Sequence, residues 1–284
     1  MYSAHKVVDL LLARADANRS DSRRNGQMVN LPGKGEVIVA GDLHHHRRNF
    51  ERIVKYAHLE EHPERFVVLQ ELLHGGMLGP QGEDTSLELL VEALGWANRF
   101  PGQVVFLLSN HDLAQVEKVA VMKDGYNLTQ RFINYCTGRY GSEAENVLRA
   151  LRDYVYSQPL AVITATGLLL AHSLPGGEDL KNFDRTVLSR ALTEADYLRQ
   201  GPVYQLIWGR RQTAEVLGAL SKAWWAEVFI CGHQLQDTGY GLVEPNLMIV
   251  DSSHQQGVIL HLDLGQSYTL QDLTRRVVPL AALP

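Results

Sequence analysis

Three short apolar runs rich in β-branched residues constrain this chain most: Glu36–Ala40, Phe66–Leu69 and Gln103–Leu108. Between them lie residues 47–60 and Leu87–Phe100, which read as helices; Leu87, Leu90, Val91 and Leu94 fall at helical spacing. Alternating strand, helix, strand, helix, strand is the signature of βαβ units. In such sheets functional residues gather at the carboxyl ends of the strands. The polar residue that follows each apolar run is therefore the one to read.

Each run ends on a side chain able to ligate a metal. Asp42 and His44 follow the first, Glu71 the second, and Asn110, His111 and Asp112 the third. The pattern continues in the second half. Leu160–Ala171, interrupted at Thr164–Gly167, reads as a strand or hairpin and is followed by His172. Glu227–Cys231 is a further strand, followed by His233, and Asn246–Val250 and Gly257–Leu262 complete the set. A single histidine after a strand is ordinarily a loop residue, and an aspartate there a turn former or helix cap. Five strand ends in order, each with such a residue, point instead to one metal centre. Mixed oxygen and nitrogen donors favour Mn, Fe, Zn or Ni over Ca, and the absence of a cysteine donor argues against a structural zinc. Two such ions about 3.5–4 Å apart can clamp a phosphate and supply hydroxide near neutral pH.

The rest of the chain bounds the function. Its 284 residues carry a formal charge of −5, so the basic footprint of a nucleic-acid-polymer binder is missing. Two cysteines, Cys136 and Cys231, make no disulfide framework and suit a reducing cytoplasm. The amino-terminal apolar run is broken by Asp9 and is no signal core, and no run approaches the length of a membrane span. Residues 4–18 read as an amphipathic helix, 18–35 as a loop, and 113–158 as a mainly helical cap or insertion without strands. No linker divides the chain, so residues 1–284 are expected to form a single domain.

The ordered motifs resemble those of the calcineurin-like metallophosphoesterases. The pattern there is Asp-x-His, Gly-Asp-x-x-Asp-Arg-Gly, Gly-Asn-His-Asp/Glu, a lone His and a last His motif. The segment His233–Tyr240, with His-Gln followed by Gly-Tyr, together with Leu206–Trp208 and Ile249–Ser253, is similar to the phosphoprotein phosphatase branch, which includes diadenosine tetraphosphatases. The resemblance spans about residues 36–264. It implies an α/β fold: a four-layer αββα sandwich of two packed mixed β-sheets flanked by helices. It implies two divalent ions, with Asp42 and His44 on the first, Glu71 bridging, and Asn110, His172 and His233 on the second. It implies His111 as proton donor to the leaving oxygen, a neighbouring carboxylate such as Asp112 orienting it, and in-line attack by a metal-bridging hydroxide. The substrate would be a phosphorylated protein or a nucleotide.

The departures lie in the second motif. Laid on it without gaps, Gln70–Gly76 puts Glu71 at the bridging Asp, His74 at the second Asp and Gly75 at the phosphate-gripping Arg. His45 replaces the glycine usual after Gly-Asp-x-His. Arg210 and Arg211, or else Arg47 and Arg48, are the candidates to replace the missing arginine. His74 is a substrate-side candidate with three readings: an orienter of His111, an extra metal or phosphate contact, or a surface loop residue. His254 is a weaker substrate-contact candidate. The altered motif also motivates a second class of function, a catalytically impaired metal-binding regulatory protein. A third reading is a structural site with one ion.

Overall fold

The computed structural model describes residues 2–75, 78–123 and 125–284. The chain runs through α1 (Ala4–Ser20), β1 (Arg24–Asn25), β2 (Met28–Leu31), β3 (Glu36–Asp42), α2 (Arg47–Ala57), β4 (Arg65–Gln70), α3 (Leu87–Ala97) and β5 (Val104–Leu107). Next come α4 (Asn110–Val116), β6 (Met122–Lys123), β7 (Tyr126–Asn127), α5 (Leu128–Tyr140), α6 (Ala144–Ser157), β8 (Ala161–Thr164) and β9 (Leu168–Ala171). The remainder is α7 (Glu194–Tyr197), α8 (Pro202–Trp208), α9 (Ala214–Trp224), β10 (Val228–Cys231), β11 (Tyr240–Val243), β12 (Leu247–Val250), β13 (Val258–Asp263), α10 (Leu270–Thr274) and β14 (Val277–Pro279).

Among the described residues the strands form a sheet in the order β14-β13-β3-β4-β5, a sheet in the order β1-β2-β8-β9-β10-β12-β11, and the hairpin β6-β7. The strands β3, β4 and β5 run parallel, as do β9, β10 and β12. The two sheets pack face to face, and alternation along each strand shows how. Val37 and Val39 of β3, Val68 of β4, Leu170 of β9, Ile230 of β10 and Val250 of β12 meet in the core between the sheets. Ile38, Ala40, Leu69, Leu169, Phe229 and Ile249 face the other way, into a second core shared with the helices. Both faces of each central strand are thus buried. That explains why the sequence shows continuous apolar runs rather than alternation.

Helix α1 is capped by Ser3, which accepts from the Lys6 N–H, and buries Val7, Leu10, Leu11 and Ala15. Its buried Arg14 donates to the Val104 carbonyl and lies over the Phe106 ring, tying the helix to β5. Residues 113–158 are mainly helical, as expected, though they also hold the hairpin β6-β7. Val147, Leu151 and Tyr154 of α6 lie in the helix-side core together with Leu11 of α1. Residues 18–35, expected to be a loop, contain β1 and β2 instead. Val29 and Leu31 point into the core between the sheets, and β2 pairs parallel with β8. Strands of two and four residues among Arg, Asn and Gly carry too little period to be read from sequence.

The sheets touch where β3 meets β12. Asp42 and Asp251 form a bridge, Ser252 N–H donates to the Asp42 carbonyl at 3.2 Å, and Gly41 N–H donates to Ser252 Oγ at 3.0 Å. A Cβ on Gly41 would lie 1.9 Å from the Val250 carbonyl oxygen, so only glycine permits this approach. The contact brings the carboxyl ends of both parallel sets of strands to one edge of the sandwich.

Candidate metal centre

Six ligand-type side chains converge at that edge. Asp42 ends β3, Glu71 follows β4, Asn110 opens α4 after β5, His172 follows β9, and His233 stands two residues beyond β10. His44 completes the set two residues after Asp42. Two groups have ligand atoms within 4.8 Å of one another: His44, Glu71 and His111; and Glu71, His172 and His233. Glu71 belongs to both, as a bridging residue would. Asp42 borders the first group, its Oδ2 3.8 Å from His44 Nε2. Asn110 Oδ1 borders the second, 2.6 Å from His172 Nε2 and 3.1 Å from His233 Nδ1.

Hydrogen-bond bookkeeping shows that a cation fits. Gln70 Nε2 donates to the Ala40 carbonyl at 3.0 Å, which leaves its Oε1 to accept from His172 Nδ1 at 2.8 Å. With the proton on Nδ1, His172 Nε2 presents a lone pair. It faces Asn110 Oδ1 and, at 3.0 Å, Glu71 Oε2, which are also acceptors. Three such groups converging in a buried space call for a positive charge among them: a bound cation or, in its absence, a second proton on His172. His44 repeats the arrangement: its Nδ1 lies 3.0 Å from the His74 carbonyl, which only accepts, so its Nε2 is left for the Asp42 side. His233 Nε2 is buried without a hydrogen bond, and Glu71 Oε1 has only His111 Nδ1 near it, at 3.4 Å. Orphans of this kind are rare in native proteins unless an ion or water satisfies them. The chain therefore fits divalent ions, and Gln70 and the His74 carbonyl fix which imidazole nitrogen faces them.

Burial, and then the charge of Glu71, push the Asp42 carboxyl up; Glu71 is held low because the charges of His111, His172 and His44 outweigh its own burial. Five non-glycine residues around the site adopt left-handed backbone: His44, His45, Glu71, His74 and His233, with φ between 42° and 67°. Such conformations cost energy and cluster where surrounding structure over-determines a functional geometry.

His111 sits in the first turn of α4, whose N-cap Ser109 accepts from the Asp112 N–H at 3.2 Å. Its Nδ1 lies 3.4 Å from Glu71 Oε1. Asp112 is buried one residue further along, its carboxyl pushed up to about 7 by burial first and the Glu71 charge next. The Trp208 ring borders both His111 and His233, at centroid distances of 6.0 and 6.2 Å, so the loop after α8 adjoins the centre. Arg210 and Arg211 on that loop are exposed, and the Arg210 charge reaches His233. Arg47 pairs with Glu92, and Arg48 is exposed. His254 Nε2 lies 3.0 Å from the Gln236 carbonyl.

The altered second motif has a steric logic. A Cβ on Gly75 would lie 1.9 Å from His45 Cβ and 2.8 Å from the His44 carbonyl oxygen. The buried His45 occupies the space from which an arginine at position 75 would start. Gly76, aligned with the glycine that ends the motif, lies outside the described residues. His74 is no surface residue: it is buried, with its ring near those of His111 and Phe132 and its Nδ1 3.6 Å from Asp84 Oδ2. Sequence reading missed Asp84 and Gln70. Gln70 was visible as a polar residue ending an apolar strand, whereas Asp84 lies in an aperiodic loop with no such signal.

The sequence model of the calcineurin-like phosphoesterases matches residues 35–241, and the chain belongs to that family. It is thus a hydrolase of phosphoric esters, in a family that uses divalent metals. No curated protein sequence matches it. Among solved structures, a protein serine/threonine phosphatase from Saccharomyces cerevisiae with similarity to human phosphatase PP5 has a TM-score of 0.72 at 13% identity, covering 99% of this chain and 94% of that one. The cold-active protein-tyrosine phosphatase of a psychrophile Shewanella sp. has a TM-score of 0.56 at 15% identity, covering 88% and 80%. At these identities the likeness is one of fold, and it bears out the expected sandwich. No helix among the described residues is long and apolar enough to cross a membrane.

Proposed function

We propose that this protein hydrolyses a phosphate ester at a dinuclear centre, with Asp42, His44 and Glu71 holding one divalent ion and Glu71, Asn110, His172 and His233 the other. The observation that carries this reading is the pair of ligand groups sharing the buried Glu71. Bound ions would acidify the attacking water and neutralise the phosphate oxygens. The residues do the rest. Gln70 and the His74 carbonyl hold the two imidazoles in the tautomer that faces the ions. His111 gives a proton to the ester oxygen as its bond to phosphorus breaks, and water supplies the hydroxyl that phosphorus gains. With a phosphorylated protein the products are the free alcohol and inorganic phosphate; with a dinucleoside polyphosphate an anhydride bond breaks instead and the products are two nucleotides. Arg210, exposed beside His233, supplies the positive charge that position 75 no longer can.

The substrate we infer is a phosphorylated protein or a nucleotide. The phosphatase-like fold match over nearly the whole chain supports the first. The test is hydrolysis of p-nitrophenyl phosphate by metal-stripped protein titrated with Mn²⁺. Turnover should appear with metal and fall by about 100-fold or more in Asp42→Asn, since even contacts outside the ligand set are worth about 10–100-fold. Ion analysis should give two ions per chain. One ion, or turnover indifferent to Asp42→Asn, would refute the reading. Phosphopeptides and dinucleoside polyphosphates, compared by kcat/KM, then assign the substrate.

A further inference from the structure

His74 and Asp84 are the most deeply buried polar pair near the centre that the proposed chemistry leaves unused. Asp84 and the His74 side chain are fully buried. Neither ring nitrogen of His74 makes a hydrogen bond, and neither does Asp84 Oδ2. Buried polar atoms without partners are expensive, so a native protein keeps them for a reason. The two face each other, with Nδ1 and Oδ2 3.6 Å apart, and the Gly75 N–H also faces the Asp84 carboxyl.

The surrounding hydrogen bonds hold this pair in place. Ser86 N–H donates to Asp84 Oδ1 at 2.8 Å, and Ser86 Oγ accepts from the His74 N–H at 3.1 Å. Segment 84–86 therefore holds the His74 backbone, which is left-handed, and sets Asp84 beside the ring. The ring of His74 stands perpendicular to that of His111, with centroids 5.2 Å apart, and Phe132 lies nearby. His111 thus packs against an imidazole that has Asp84 beside it.

Resting on the function proposed above, we propose that Asp84 and His74 are positioning residues that hold His111 in the orientation from which it protonates the leaving oxygen. Asp84 holds the His74 ring through the 3.6 Å approach of Oδ2 to Nδ1, and the ring, packed against His111, fixes that side chain in turn. A carboxylate is thereby supplied from the loop before α3, ten residues beyond the altered motif position.

A proton donor matters more as the leaving group becomes less acidic, and that separates positioning of His111 from a general structural role. The experiment compares p-nitrophenyl phosphate, whose leaving group departs readily as an anion, with phenyl phosphate, whose leaving group needs a proton. It uses the metal-loaded full chain. In Asp84→Asn, kcat on phenyl phosphate should fall by at least about tenfold more than on p-nitrophenyl phosphate, within the range of general acid catalysis. KM and bound metal should stay near wild type. Combined with His111→Asn, Asp84→Asn should add no further loss, because both act through one group. Equal losses on the two substrates, no loss, or losses that add to those of His111→Asn would overturn the proposal. If Asp84→Asn does not fold, His74→Gln carries the same comparison with the same two outcomes. A wild-type protein inactive on both substrates at every metal concentration would instead refute the proposed function itself.

Discussion

His45 and Gly75 show how two departures from a motif can be one change. The side chain gained at 45 fills the room that a side chain at 75 would need. Restoring the motif's arginine should therefore not restore a phosphate grip. Gly75→Arg should lower stability by about 1–3 kcal/mol, the usual cost of overpacking, with no gain in kcat/KM. Pairing it with His45→Gly should recover part of that stability but not all, because the His44 carbonyl remains 2.8 Å from the new Cβ. Thermal unfolding of the two variants checks this. The candidate ligands themselves were legible, because a polar residue after a buried strand has few structural reasons to be there. His74 was visible, but its surroundings were not. Its partner Asp84 arrives through the fold of a loop, and no local period encodes that meeting.

The strands placed the ligands, and they were the most legible elements. Runs such as Val37–Val39 are buried on both faces, so hydrophobicity marks them directly. Strands β1, β2, β11 and β14 were missed because they are short and at least partly exposed, and tertiary pairing rather than local sequence makes them strands. The junction of β3 with β12 gives a test at this scale. The Cβ in Gly41→Ala would press on the Val250 backbone, which cannot swing aside as a side chain would. The expected loss is about 2 kcal/mol or more in urea unfolding. Metal affinity should weaken as well, because Asp42 is the next residue. Gly218→Ala in α9 is the control: nothing lies within 4 Å of its Cβ, and alanine should gain about 0.5–1 kcal/mol from helix propensity. Equal effects at the two sites would mean that the sheets do not need this approach.

For the molecule as a whole, packing the proposed metal centre into the edge of a sandwich would make stability depend on both protons and ions. Burial first, and then the charges of His111 and His172 respectively, drive His74 down to about 3 and His233 down to about 2. The unfolded chain protonates both below about 6.5. Their contribution to stability is therefore present above that pH and lost as pH falls toward the folded values. Asp112, raised to about 7, and Asp42, also raised, have the opposite sign. Folding takes up their protons above about 3.9, so what they contribute is lost as pH rises toward 7. Between pH 4 and 6.5 the two effects oppose each other, and the chelated protein should show a shallow pH dependence. Divalent ions hold Asp42 ionised and remove its part of the opposition. The loaded protein should then lose stability more steeply on acidification, by about 1.4 kcal/mol per pH unit for each proton no longer taken up on folding. At pH 7 it should exceed the chelated form by about 2.7 kcal/mol for each bound ion when free metal is near 100 times Kd. Urea unfolding at pH 5, 6 and 7, with metal and with chelator, measures both. Parallel slopes in the two series would mean that Asp42 is not among the ligands, because its proton would then follow the same course with or without the ions.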